Sequence, residues 1–284
     1  MPLRDNPSAR QVRLGSELRK LRESAGRTAR EAAGLLSTDQ AKISHIEAGR
    51  LGISEERVRR LAVFYSCDDT ALIDALCAIT HESRGQGWWE AYRGVLAPGF
   101  LDVAELEHHA TSLRALQPMT LPGVFQTEDY TRAVYGGHIP VLPAEEVDVR
   151  VEFRQKRHQI FERDVPPPFV MVIHEAALRM RVGGRKVARA QLVHLLEASE
   201  HPAVTLRVIP FTSEQFVEAT QPVLYAGGVV PRLDTVQVDS VVGGVLLDGG
   251  VQLKKYGTLL DLAERAALDT EDSRRFVHDI TREL

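Results

Sequence analysis

Gln40, Lys42, Ser44 and His45 place four kinds of polar side chain close together in the sequence. An amide can exchange paired hydrogen bonds with adenine, an imidazole can donate to guanine acceptors, and an ammonium can reach guanine or phosphate. Ile43 and Ile46 stand among them three positions apart, so a helix here buries the isoleucines and turns the polar groups outward. That face either reads base edges in a major groove or simply meets water. Composition alone weighs the two evenly.

Other chemistry is harder to find. His174-Glu175 begins like a zinc-protease helix but lacks the second histidine. No phosphate-binding G-x-x-x-x-G-K-[ST] occurs, and the Gly-Gly pairs starting at 183, 227, 243 and 249 do not build G-x-G-x-x-G. No G-x-S-x-G elbow is present. Adjacent His108 and His109 point in different directions on a helix, which suits a surface or capping role better than a metal. Glu128-Asp129 reads as the charged start of a helix. Cys67 and Cys77 match no zinc spacing and no disulfide framework. The expectation is no catalytic residues, no metal, no cofactor and no enzyme. Trp88-Trp89 either lines a ligand pocket or packs between domains.

The polar stretch needs a scaffold, and its neighbours supply one. Leu14, Leu18, Leu21 and Ala25 mark one face of a helix ending near Gly26. A second short helix over about 28–36 buries Ala32, Ala33 and Leu36. Ser37-Thr38-Asp39 offers capping oxygens for a third, carrying Gln40 to Glu47 and stopping at Ala48-Gly49. Ser54 can cap a fourth with Val58, Leu61, Ala62 and Tyr65 inward, and a fifth over about 69–80 buries Leu72, Ile73, Leu76 and Ile79. The expected organisation is a flexible tail over 1–10, a five-helix all-α domain over 11–80 and a larger domain over 81–284.

Charge follows the same division. Overall, 35 basic against 39 acidic side chains give −4. Residues 1–70 hold 13 basic and 10 acidic groups, a net of +3, whereas 71–284 hold 22 and 29, a net of −7. A mildly basic module on an acidic body hints at a polyanion partner, and the acidic part is expected to be a poor second surface for phosphate. The chain lacks a long uncharged apolar run, and MPLRDNPSAR lacks a signal-peptide core, so a cytoplasmic, membrane-free protein is expected.

Beyond residue 80 the pattern mixes helices and strands. Gly85-Gln86-Gly87 reads as a hinge. Helix is expected over 106–116, 128–134 and 145–161. Phe169–Ile173, a helix over 185–199 and Val204–Ile209 suggest a parallel βαβ pair. Strands follow at 223–226, 235–242 and 245–247, and helices at 260–268 and 272–282. An α/β or α+β domain with a mixed sheet flanked by helices results.

The quoted residues carry two resemblances. Leu14-Gly-Ser-Glu-Leu-Arg-Lys-Leu-Arg-Glu-Ser-Ala-Gly26 followed by Gln40-Ala-Lys-Ile-Ser-His-Ile-Glu-Ala-Gly49 resembles the Cro and phage-repressor (XRE) helix-turn-helix. That resemblance implies base contacts from Gln40, Ala41, Lys42 and His45, with Thr38, Asp39 and Ser44 on the same element, and a phosphate contact from Arg50. Ala29 stands where the family usually has a phosphate-contacting Gln, so Thr28 or Arg30 is expected to substitute. Further on, Trp88-Trp89, Leu121-Pro-Gly-Val-Phe-Gln-Thr-Glu-Asp-Tyr130, Glu175-Ala-Ala-Leu178, Val182-Gly-Gly184, Gln191-Leu-x-x-Leu195 and Val208-Ile-Pro-Phe211 together resemble actinobacterial WhiJ-like regulators. There the usual P-G-L-L-Q-T is P-G-V-F-Q-T. The first resemblance implies a homodimer on a pseudo-palindromic double-stranded operator, and the second implies a transcriptional regulator and a small partner protein from a neighbouring gene. It also admits an antitoxin that neutralises that partner and controls its own operon. Trp88, Trp89, Phe125 and Gln126 are the candidate ligand or partner residues.

Overall fold

The helices of the N-terminal part begin where a side chain can satisfy the free amides of a first turn. In the computed structural model, which describes residues 3–82, 87–218, 220–240 and 243–284, α1 spans Ala9–Ser24. Ser8 Oγ accepts the Gln11 amide there, and the Gln11 side chain accepts the Ser8 amide in return. Thr28 and Glu31 repeat this reciprocal cap at α2 (Ala29–Leu35). Asp39 caps α3 (Gln40–Glu47) and Asp69 caps α5 (Thr70–His81). Ser54 stands at the cap position of α4 (Glu55–Phe64) but makes no capping bond, contrary to expectation. Glu55 and Glu56 in its first turn still suit the positive end of the helix dipole.

Leu14, Leu18, Leu21, Ile43, Ile46, Val58, Leu61, Leu72 and Leu76 meet in one core. Each large side chain withdrawn from water there stabilises by about 1.5–3 kcal/mol. The chain divides into two compact units: Met1–Leu106 with Val229–Leu233, and Glu107–Gly228 with Asp234–Leu284. The first unit therefore runs well past residue 80. It takes in a 3-10 helix at Trp88–Tyr92 and the first part of α6 (Pro98–His109). The physical link is at the start of α1, where Asp102 Oδ1 accepts the Ala9 amide at 3.1 Å and Glu105 Oε2 accepts the Arg10 amide at 3.2 Å. The expected flexible tail is tied as well, since the Arg4 amide donates to the Arg50 carbonyl at 2.8 Å. Of the expected hinge, residues 85 and 86 lie outside the described residues.

The second unit contains β1 (Ser112–Gln117), α7 (Glu128–Gly136), α8 (Ala144–Lys156), β2 (Phe169–His174), α9 (Glu175–Arg179) and α10 (Arg185–Ala198). It continues with β3 (Val204–Ile209), β4 (Val223–Gly227), β5 (Thr235–Ser240), β6 (Gly243–Leu247), α11 (Gly250–Ala266) and α12 (Thr270–Glu283). The six strands form one mixed sheet in the order β3-β2-β1-β4-β5-β6. β1, β2 and β3 run parallel, with α10 between β2 and β3, whereas β4, β5 and β6 are antiparallel neighbours. Leu116, Val172, Val223, Val236 and Val238 on one face pack with Leu253, Leu260 and Ala263 of α11.

Two expectations fail here. The stretch expected as one helix over 106–116 ends as helix at His109 and becomes the central strand β1. Leu, Ala and Gln are good helix formers, but pairing on both edges decides the conformation of a central strand. α11 starts ten residues before the expected 260, because Gly250 and Gly257 lie inside it and dilute its helical signal.

Candidate nucleic-acid interface

α3 is positioned from behind by two close backbone approaches. Gly15 of α1 sits against its end: a Cβ at position 15 would stand 2.5 Å from the Ile46 and Glu47 carbonyl oxygens. Gly49, just past α3, has φ of +72°, and a Cβ there would lie 2.8 Å from the Gln11 backbone. Both positions demand a residue without a side chain. Arg22 of α1 then clamps α3 through Glu47, with Nε to Oε1 at 2.6 Å and Nη2 to Oε2 at 2.9 Å. This fork is a charge-assisted, two-point contact, which fixes the helix in rotation as well as distance. Sequence reasoning overlooked Gly15 and the Arg22–Glu47 pair, although both lie inside the quoted motif.

The turn from α2 into α3 runs through Ser37, which adopts the left-handed backbone at φ of 50°. A non-glycine residue there carries strain, held by the Thr38 amide donating to the Ala33 carbonyl at 2.9 Å. Asp39 Oδ1 accepts the Lys42 amide at 2.8 Å, and Oδ2 stands 3.2 Å from Lys42 Nζ. The amide bond first, then the ammonium, hold the Asp39 carboxyl below its usual range.

The outer surface is then clear. Gln40, Ala41, Lys42, Ser44 and Arg50 are exposed and His45 is partly buried, while Ile43 and Ile46 are buried beneath them. Ser44 Oγ donates back to the Gln40 carbonyl at 3.1 Å, leaving its lone pairs outward. Among the described residues, the side chains of Gln40, His45 and Arg50 make no hydrogen bond or ion pair. Thr28 is exposed at the start of α2, but its hydroxyl is committed to Glu31, accepting the amide at 3.2 Å and donating to the carboxylate at 2.8 Å. Thr38 is partly buried in the turn. One short surface thus gathers Gln40, Lys42, Ser44 and His45, with Arg50 following.

The candidates farther along have a different setting. Trp89 is buried and Trp88 half-buried, edge to face with each other at 6.0 Å between ring centres. Phe125 is fully buried, stacked on Phe161 at 5.1 Å and edge-on to Phe169 at 5.1 Å. Gln126, also buried, donates from Nε2 to the Leu121 carbonyl at 2.8 Å and so closes its own loop. Gln191 supports the same loop, donating to the Phe125 carbonyl and accepting the Thr127 amide. His174 and Glu175 cap backbone, accepting the Ala176 and Phe211 amides respectively. Arg163 donates to His108. Among the described residues no three His, Cys, Asp or Glu side chains gather as a metal site, and no helix is long and apolar enough to cross a membrane.

Residues 13–76 match the model of a helix-turn-helix domain, which supports a DNA-binding regulator and α3 as part of its DNA-binding domain. No curated protein and no solved structure matches the chain. Residues 100–279 match the model described as Domain of unknown function (DUF5753). Because that match takes in more than half of the residues, the chain belongs to this family.

Proposed function

We propose that the chain is a sequence-specific transcriptional regulator of the WhiJ-like kind, reading a pseudo-palindromic operator with α3 and taking a signal or partner through its sheet unit. The observation that carries this reading is the uncommitted outer face of α3, with Gln40 and His45 free while Ile43, Ile46, Gly15 and the Arg22–Glu47 fork fix the helix from behind. Uncommitted amide and imidazole groups held on a rigid helix are what direct base readout needs. A single helix of this kind covers one half-site, so two copies of the chain on half-sites about one helical turn apart complete the operator.

Competition titrations on a selected duplex and a scrambled one, at two salt concentrations, test it. Gln40→Ala and His45→Ala should each cost about 1–3 kcal/mol on the selected duplex and leave the scrambled one unchanged. Arg50→Ala should weaken both and lower the salt slope by roughly one phosphate. Equal losses on both duplexes for Gln40→Ala and His45→Ala overturn base reading by α3. Light scattering of the full chain at working concentration tests the homodimer, and a monomer with full operator affinity overturns that part.

A further inference from the structure

The sheet reverses its order at β1: the chain moves to one side through β2 and β3, then returns to the other side of β1 with β4. Because β4 runs antiparallel to β1 and β5 antiparallel to β4, the carboxyl end of β1 lies level with the start of β4 and the end of β5. β1 ends at Gln117, and the loop carrying Gln126 follows it. The register puts Ala115, Leu224 and Gln237 on one row, and the Asp239 amide binds the Pro222 carbonyl one row further. Gln117, Gln237 and Asp239 therefore share one sheet face at this end, opposite the face covered by α11.

Polar groups here have unmet demands. Arg154 of α8 donates from Nη1 to Gln126 Oε1 at 2.7 Å and from Nη2 to the Tyr135 hydroxyl at 2.7 Å, with its guanidinium 4.6 Å over the Tyr135 ring. Its Nε is buried without an acceptor, and among the described residues no carboxylate pairs with it. Neighbouring Arg157 is different, being held in a fork by Glu107 at 2.8 and 2.6 Å. Burial first, then the Arg157 charge, push the Arg154 pKa down, while Asp239 is near enough to favour the charged form of both arginines. Gln237 is 8 % exposed, its Nε2 donates to Asp239 Oδ1 at 2.7 Å, and its Oε1 has no donor. Asp239 itself is exposed and faces no cation within ion-pair distance among the described residues. A partly buried cation without an ion-pair partner among the described residues, a buried acceptor lacking a donor and an open carboxylate form complementary halves of one recognition problem.

We infer that this end of the sheet binds a small zwitterion of the amino-acid class, its carboxylate taken by Arg154 and its ammonium by Gln237 Oε1 and Asp239. This deepens the signal-binding part of the proposed function and rests on it. Asp239 keeps one side of the site open to solvent, whereas Gln126 and Tyr135 hold the guanidinium in place.

Calorimetric titration of the full chain with glycine, β-alanine, γ-aminobutyrate and δ-aminovalerate tests the inference, since these probes lengthen the charge separation stepwise. One of them should bind, and its amine-free counterpart, from acetate to valerate, should bind at least about tenfold more weakly. Asp239→Asn, at an exposed position that tolerates change, should weaken the zwitterion by roughly tenfold without weakening the carboxylate series. Arg154→Lys keeps the charge but loses the fork and should weaken both series. Heat from none of the zwitterions, or zwitterion binding untouched by Asp239→Asn, overturns the site. DNA binding is measured separately: zwitterion binding by a chain that ignores DNA keeps the site and removes the regulator, and DNA binding without zwitterion binding does the reverse.

Discussion

The two units spend their polar side chains in opposite ways. In the helical unit the exposed side chains of Gln40 and Arg50 and the partly buried one of His45 make no hydrogen bond or ion pair among the described residues, over a core that fixes the backbone beneath them. In the sheet unit Gln126 and Gln191 are buried and serve the backbone of the loop over 121–127. The same amide chemistry thus stays open to solvent in one place and splints a loop in the other. Burial separates these two cases, because an exposed amide can exchange water for a ligand, whereas Gln126 and Gln191 already have protein partners.

The largest effect expected from this contrast is at Phe125. Phe125→Ala removes a fully buried ring from the stack with Phe161 and Phe169 and should cost about 3–5 kcal/mol in urea unfolding of the full chain. A loss below about 0.5 kcal/mol, in the range of surface changes, would place this loop with the exposed surfaces and erase the contrast.

Next is Gly15→Ala. The new methyl would press on the Ile46 and Glu47 carbonyl oxygens, backbone atoms that cannot swing aside. About 1–3 kcal/mol of overpacking should appear in the helical unit, with α3 displaced and affinity lost on the preferred duplex. Unchanged affinity would show that the spacing of α1 and α3 does not set the reading head. Gln40→Ala is the mirror case. It should change unfolding by less than about 0.5 kcal/mol, because the side chain contacts only solvent, while affecting DNA readout alone.

How much was legible in the sequence follows the same line. The five helices and their inward residues could be read because each amphipathic face reports its own burial. The outward face of α3 was legible for the same reason. Local pattern failed where partners distant in sequence decide the outcome. Leu113-Arg-Ala-Leu-Gln117 has helix-forming residues and becomes a strand only because β2 and β4 pair with it. Phe125 and Gln126 read as ligand or partner candidates from sequence, and their packing depends on Phe161, Phe169 and Gln191, which lie 36, 44 and 66 residues beyond Phe125. Glu17 gave no signal either, yet it is 1 % exposed and meets Lys20 Nζ at 2.8 Å and Arg232 Nε at 2.9 Å.

The smallest expected effect concerns two helix starts that use carboxylates in opposite surroundings. Asp39, exposed at the start of α3, is held low by the Lys42 amide. Its contribution is fully present above the pKa of an unfolded aspartate and is lost as the pH falls through the lower folded value. Partly buried Asp102 and buried Glu105, which meet the start of α1, are pushed up by burial, against the pull of the Ala9 and Arg10 amides. Between the unfolded and folded pKa values the folded chain then holds more protons than the unfolded one. Stability from these two groups therefore rises as the pH falls through their raised folded values toward the unfolded values of about 4. Asp102→Asn keeps an oxygen for the Ala9 amide and removes the titration, so it should flatten this rise without weakening the fold at neutral pH. Asp39→Asn should leave that interval untouched and flatten the loss at more acidic pH. Unfolding midpoints of the full chain and both variants across the range decide the matter, and parallel pH profiles for all three would show that burial does not distinguish the two helix starts.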